Sequence, residues 1–300
     1  MSAAREARAT LTGLAWCAPW LIGAALFLFL PMGLSVYYSF TDYPLLEPPV
    51  WAGATNYARL WDDPTFWRVV RNTAWFVALS VPAGLIVGVV LAALLGGRVR
   101  LARLWQACVF IPTLVPVIAG AMVWMWLFNG ELGLVNRVLG LVGVRGPAWL
   151  VDETWVLPSM VIMSLWGVGQ SVVIFIAAMQ DVPAYLYEAG RLDGMNPARQ
   201  FWHVTVPMIS PQILFSAIVS TINAVQVFAV PYVLFRKPDG QNPAGHYYSM
   251  YLYESAFVYG QMGYACAMAW LQMLVIIALT GLMFWASRRL VHYRGGGAGA

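Results

Sequence analysis

Few residues in this sequence have side chains able to carry chemistry, and most of those are uncharged. One lysine occurs, Lys237, and no Gly-x-x-x-x-Gly-Lys-Ser/Thr loop surrounds it. The chain therefore cannot build a phosphate-cradling loop of that kind by itself. The histidines His203, His246 and His292 stand far apart, without metal-ligand spacing. No Gly-x-Ser-x-Gly nucleophile elbow occurs. What does recur at helical spacing is polar and neutral: Gln212, Ser216, Ser220, Asn223 and Gln226 cover about 120° of a helix. Such amides and hydroxyls suit a neutral polyol, and they equally suit hydrogen bonding between packed helices. Trp166 and Gln170 lie one turn apart beside Gly167, where an aromatic ring can stack on the apolar face of a sugar ring.

The elements that must position these residues follow from composition. Of 300 residues, 61% are hydrophobic and 10% charged, against about 25% charged in a soluble domain. Mean hydropathy is +0.69. This excludes a disordered chain and disfavours a soluble enzyme. Six stretches of 26 residues or more contain no Asp, Glu, Lys or Arg. A spanning helix needs about 20 apolar residues, so the sequence predicts an all-α membrane protein with six transmembrane helices, near 14–38, 72–95, 104–128, 155–179, 212–235 and 264–286. The first, though preceded by Arg5 and Arg8, is too long for a signal peptide and no small-residue cleavage pattern follows it. Cys17, Cys108 and Cys266 all fall in predicted spans, where they are expected to pack as small apolar residues. Trp61, Trp67, Trp149 and Trp155 fall near predicted membrane interfaces.

An even number of spans puts both termini on one side. That side carries ten Arg and the other seven Arg or Lys, so the termini are expected in the cytoplasm. Arg68 and Arg71 count on the outer side, at a helix end. The net charge of +4 is spread over membrane borders and calls for no nucleic-acid partner. No acidic residue falls within a span, which argues against a proton-driven carrier.

The inner segment 181–211 is unlike the other loops, having helix start and stop signals of its own. Asp181 precedes Pro183, a first helix can run Pro183–Asp193, and Gly194 is placed to end it. Asn196-Pro197 repeats the start signal, and a second helix is expected to about Thr205, ended by Pro207. Tyr185, Ala189 and Leu192 share one face. The segment reads either as an interfacial amphipathic loop or as a docking surface for another protein. In the outer loop 129–154, Gly133–Val144 is expected to form a short helix.

Tyr187-Glu188-Ala189-Gly190-Arg191-Leu192-Asp193-Gly194, nine further residues, then Val204-Thr205-Val206-Pro207 resembles the Glu-Ala-Ala loop of ABC importer permeases, with the same spacing throughout. Gly190 stands where the family pattern has Ala, which costs about 1 kcal/mol of helix propensity. Ala52-Gly53-Ala54-Thr55-Asn56-Tyr57, Ile111-Pro112-Thr113-Leu114-Val115-Pro116, Trp124-Met125-Trp126-Leu127-Phe128, Gly133-Leu134-Val135-Asn136, Trp149-Leu150, Ala224-Val225-Gln226-Val227-Phe228 and Gly263-Tyr264-Ala265 extend the likeness over nearly the whole chain. It is similar to the carbohydrate-uptake branch that includes maltose and glycerol-3-phosphate permeases. Arg236-Lys237-Pro238-Asp239-Gly240 departs from the Gly-Gly-Gly-Pro segment many relatives carry after the fifth helix.

The resemblance implies a type I, maltose-permease-like fold, the chain forming one permease domain with 181–209 as its cytoplasmic coupling loop. It implies a second six-helix permease, two copies of a P-loop ATPase that hold the ATP and magnesium, and an extracytoplasmic sugar-binding protein, in a bacterial-type inner membrane. Glu188, Ala189, Gly190, Asp193, Gly194 and Pro207 would form the ATPase-coupling element. Glu188 would pair with a basic group on the partner, unless it is an ordinary solvated acid. Trp166, Gly167, Gln170, Ser220, Asn223 and Gln226 would line the substrate pathway. An ATP-independent secondary sugar carrier is the alternative of another class. A glycerol-3-phosphate-type permease is the alternative within the family, disfavoured because no predicted span carries a basic residue deep inside.

Overall fold

A computed structural model describes residues 3–97, 100–236 and 242–290, and side chains within 12–288 of these. The basic residues Arg5, Arg8, Arg98, Lys237, Arg289 and Arg294, and the segment Lys237-Pro238-Asp239-Gly240, thus lie outside the described side chains. In hydrocarbon only a helix satisfies its own backbone polar groups within one segment, and the apolar stretches are helical accordingly. Among the described residues, four helices are long and apolar enough to cross a bilayer: Thr12–Ser39, Pro64–Leu95, Ser210–Phe235 and Met262–Arg288. Two bent pairs, Ala102–Leu114 with Val117–Leu127 and Glu153–Trp166 with Gly169–Gln180, bring the number to six if each pair is one span.

The third and fourth spans are each broken, where the expected ranges 104–128 and 155–179 give one helix apiece. The third turns by 101° at Val115–Pro116 and the fourth by 49° at Gly167–Val168. Pro112 sits in a 3-10 turn, Ile111–Leu114, and Val115 is extended, at φ −72 and ψ 128, immediately before Pro116. A proline lacks the amide proton and pushes its predecessor out of the helical region, so two prolines four residues apart stop the helix and restart it in a new direction. The second span begins at Pro64 rather than near 72, because proline fits the first helical turn. Arg68 and Arg71 therefore lie inside the helix and not in the loop before it. The fifth span is interrupted after Val225 and resumes at Ala229.

Prolines elsewhere are absorbed by π turns. The Leu30 amide reaches back five residues to the Ala25 carbonyl just before Pro31, and the Val206 amide does the same to Phe201 just before Pro207. The wide turn removes the carbonyl that the proline ring would strike. Helical backbone consequently runs through Pro207 to Met208, which corrects the expectation that Pro207 ends the second loop helix.

The chain divides into two compact units. The first is Met1–Asp63 with Leu252–Met273. Here Thr41–Asp42 pairs antiparallel with Val50–Trp51. Asn56 donates to the carbonyls of Ser39 and Thr41 at 3.0 and 2.8 Å, and the Tyr57 hydroxyl donates to Ser39 Oγ at 2.9 Å. A Cβ on Gly263 would lie 2.1 Å from the Thr41 carbonyl, so the glycine is required by close backbone approach. Tyr264 donates to Asp63 at 2.6 Å, under the Arg59 guanidinium. Cys17 is exposed and Cys266 buried.

The second unit is Pro64–Tyr251 with Leu274–Ala300. Its core includes Phe76, Phe128, Trp149, Val156, Met160, Phe235 and Tyr247, with a second cluster of Ala92, Val172, Phe175 and Ile176. Trp149 is 7% exposed and stacks on Phe128 at 5.1 Å, so it is a core residue and not the interfacial anchor expected. Its indole donates to Asn136 Oδ1 at 2.6 Å, and Asn136 donates to the carbonyls of Gly130 and Pro147. Asn136 thereby staples the loop 129–154, whose helix is Leu134–Leu141. Asp152 caps the fourth span by accepting from the amide and hydroxyl of Thr154, which holds its carboxyl below the usual carboxylate range. Cys108 is exposed, so neither it nor Cys17 packs into a core.

Candidate functional site

The loop after the fourth span forms two short helical arms. The first, Ala184–Leu192, begins after Pro183, which takes the cap position itself. It closes at Gly194, whose φ of +76 suits a residue without a Cβ. The Met195 amide bonds the Gly190 carbonyl at 2.8 Å and the Gly194 amide bonds Arg191 at 3.0 Å, a Schellman closure. The second arm starts at Pro197, where the Asn196 side chain accepts from the Arg199 amide at 2.8 Å. Tyr187 and Thr205 join the arms by a hydroxyl–hydroxyl bond of 2.9 Å.

One face of the first arm is packed and the other open. Val182, Ile209 and Ala178 are buried together, with Leu186, Tyr187, Val204 and Met208 against them. The arms are thus fastened to the end of the fourth span and the start of the fifth. Gly190 is buried, and a Cβ there would meet Met195 Sδ at 3.4 Å and Gln200 at 3.6 Å. On the opposite face Glu188, Ala189 and Asp193 are exposed, Tyr185 is 66% exposed and Leu192 90%. The outward face thus combines an aromatic and an apolar side chain with two carboxylates.

A second locus lies at the bends. Two cavities of 280 and 350 Å³ share Phe76, Ser164, Gly167 and Val227. Ser220 and Asn223 line the first, Trp166 and Gln170 the second, and Gly167 both. Five of the six expected pathway residues are thereby brought together from two spans. Gln226 is the exception: it caps the helix Ser210–Val225, is exposed and lines neither cavity. The helix ends one residue earlier than the periodic stripe assumes. Ser216 is buried with no hydrogen-bond partner for its hydroxyl, and lines neither cavity.

The bends approach each other closely. A Cβ on Gly169 would lie 2.3 Å from the Val109 carbonyl and 3.0 Å from Phe110 Cα. Glycine is what lets the two backbones meet. Trp166 packs edge-on against Trp124 at 6.0 Å, and the Trp124 indole nitrogen is buried without a partner.

Sequence reasoning missed Ser80, Ser164 and Ser171, which line the first cavity with Ser220 and Asn223. Ser80 is 7% exposed and its hydroxyl has no partner. Its signal was available, as a lone polar residue in the apolar run 74–94. No charged side chain lines either cavity among the described residues. The arrangement offers hydroxyl, amide and aromatic groups and no acid–base pair.

Residues 81–292 match the family described as "Binding-protein-dependent transport system inner membrane component". The chain is 31% identical over 286 residues to "Probable ABC transporter permease protein YesP" of Bacillus subtilis, covering 94% of this chain and 92% of that one. It is 29% identical over 278 residues to "Lactose transport system permease protein LacF" of Rhizobium radiobacter, covering 87% and 93%. Among solved structures, a chain of the "bacterial alginate ABC transporter in complex with alginate pentasaccharide-bound periplasmic protein" has a TM-score of 0.83. At 20% identity, over 95% of this chain and 96% of that one, it shares the fold.

Proposed function

Because the chain belongs to the family of binding-protein-dependent transport system inner membrane components, and is thus a membrane permease subunit of an ABC importer, we propose that it passes a neutral sugar and couples that passage to an ATPase through 181–209. The whole chain acts as one permease domain. Sugar is supported by the lactose permease among its relatives and by the hydroxyl, amide and indole lining of the two cavities. An anionic substrate such as a glycerol phosphate would favour a guanidinium or ammonium there.

The observation that carries the coupling assignment is the two-faced helix Ala184–Leu192. One face is packed onto the fourth and fifth spans through Leu186 and Tyr187. The other presents Tyr185, Glu188, Ala189 and Leu192 outward. A partner that grips the outward face moves the spans through the inward one. ATP and magnesium act on that partner, a P-loop ATPase present twice, with a second six-helix permease completing the pathway. A binding protein delivers the sugar, and both termini are cytoplasmic. ATP binding shifts the pathway between inward-facing and outward-facing states by favouring one of them. A carrier working without ATP has no use for such a surface.

Affinity purification of the tagged chain from its native membrane tests this. A P-loop ATPase and a second six-helix chain are expected to co-purify. Glu188→Lys should lower ATPase recovery about tenfold, the effect of losing one charge-assisted hydrogen bond. A chain that purifies alone and still moves sugar without ATP would overturn the assignment.

A further inference from the structure

The second span is longer than a bilayer core requires, and two arginines sit where the surplus meets the core. Pro64–Leu95 has 32 residues, about 48 Å at 1.5 Å each, against an apolar core of about 30 Å. Centred in the membrane, it extends roughly 9 Å beyond the core at each end, through the headgroup layer. Arg68 and Arg71 lie about 6 and 10 Å along the helix from Pro64, so their backbones straddle the edge of the hydrocarbon core and their long side chains can reach outward to the lipid phosphates. Both are exposed. Together with Trp75, Glu153 and Tyr247 they line a cavity of 490 Å³. Its wall is fixed by Asn72, which donates to the carbonyls of Pro243 and His246 at 2.8 and 3.0 Å. Tyr247 is wholly buried and its hydroxyl has no hydrogen-bond partner. Burial raises its pKa, so the hydroxyl stays a neutral donor.

The face that carries the arginines is continuous. Arg68, Arg71, Trp75, Leu79 and Ile86 fall within about 80° of the helix circumference. Trp75, Leu79 and Ile86 are 57, 44 and 64% exposed. We propose that this cavity holds the phosphate of an anionic phospholipid. Arg68 and Arg71 contact the phosphate oxygens, and an acyl chain lies along Trp75, Leu79 and Ile86. Under the orientation proposed above the lipid belongs to the outer leaflet. Two guanidiniums opposed by the Glu153 carboxylate leave one net positive charge, which matches a phosphodiester better than a dianionic phosphate monoester. The apolar strip gives a lipid an advantage that a soluble anion lacks. The site requires only that this helix crosses a bilayer, so failure of the coupling or sugar assignments leaves it standing.

The test uses the full chain, purified in detergent and stripped of native lipid, with bound lipid quantified by native mass spectrometry. Phosphatidylglycerol should be retained in preference to diacylglycerol of the same chains. Arg68→Gln and Arg71→Gln should each lower retention about fivefold, and the pair on the order of twenty-five fold. Glu153→Gln, which removes the opposing charge, should raise retention, an outcome that does not depend on the arginine variants folding. Equal retention of diacylglycerol, or unchanged retention in the double variant, overturns the site. Inorganic phosphate displacing phosphatidylglycerol at equal concentration overturns the lipid assignment in favour of a soluble anion. Loss of phosphatidylglycerol only when a binding protein is added would instead assign the arginines to a protein surface.

Discussion

Gly190 and Gly194 lie four residues apart in the loop 181–209 and answer to different physics. Gly194 holds φ +76, a region that costs an L-residue with a Cβ about 1–2 kcal/mol. Gly190 is helical, and the Cβ it lacks would make contacts of 3.4 and 3.6 Å, ordinary packing distances. Gly190→Ala, which restores the family pattern, should stabilise the arm by up to about 1 kcal/mol. Gly194→Ala should destabilise it by about 1 kcal/mol or more. Hydrogen exchange over 184–205 reads both, with amide protection rising in the first variant and falling in the second. Gly190 was legible as a departure from a pattern, but that the site accepts alanine required the positions of Met195 and Gln200.

At the scale of elements, the bends of the third and fourth spans form a single device. Pro112 and Pro116 break the third span, and Gly169 admits its backbone against the fourth. Gly167, two residues away, has open space: its nearest contact for a Cβ is the Ser164 carbonyl at 3.7 Å. Two alanine substitutions therefore separate fold from the proposed pathway. Gly169→Ala forces backbone apart and should cost about 1–3 kcal/mol of stability, as overpacking does. Gly167→Ala should leave thermal stability unchanged while narrowing both cavities, and so reduce sugar uptake. Equal melting temperatures for the two variants would count against the Gly169 contact.

At the scale of the whole molecule, the proposed coupling needs the loop and the spans to move as one piece. Ile209 is fully buried at the start of the fifth span, in the cluster with Ala178 and Val182. Ile209→Ala should cost about 2–5 kcal/mol and loosen the arms from the spans. Since Glu188 and Leu192 remain on the surface, ATPase recovery should stay near that of the parent chain while ATP-driven uptake falls. A parallel loss of both would mean that the loop has unfolded rather than slipped.

The sequence alone determined what depends on local free energy. Charge-free length set the spans, since burying a charge in hydrocarbon is costly wherever the helix packs. Asn196-Pro197 and Gly194 set the ends of the loop arms, because caps and a positive φ are decided within a few residues. The loop spacing from Glu188 to Pro207 was legible for the same reason. Only the tertiary structure decided what depends on distant partners. Pro112 and Pro116 stand in the third span, but the turn of 101° there was not legible from them. Trp149 has the composition of an interfacial anchor, yet Phe128 and Asn136 draw it into the core. Ser80 joins Ser220 and Asn223 across 140 residues, and Gln226 leaves the stripe because its helix stops at Val225. Helix periodicity records which residues share a face; which faces meet is fixed by side-chain packing between segments far apart in the chain.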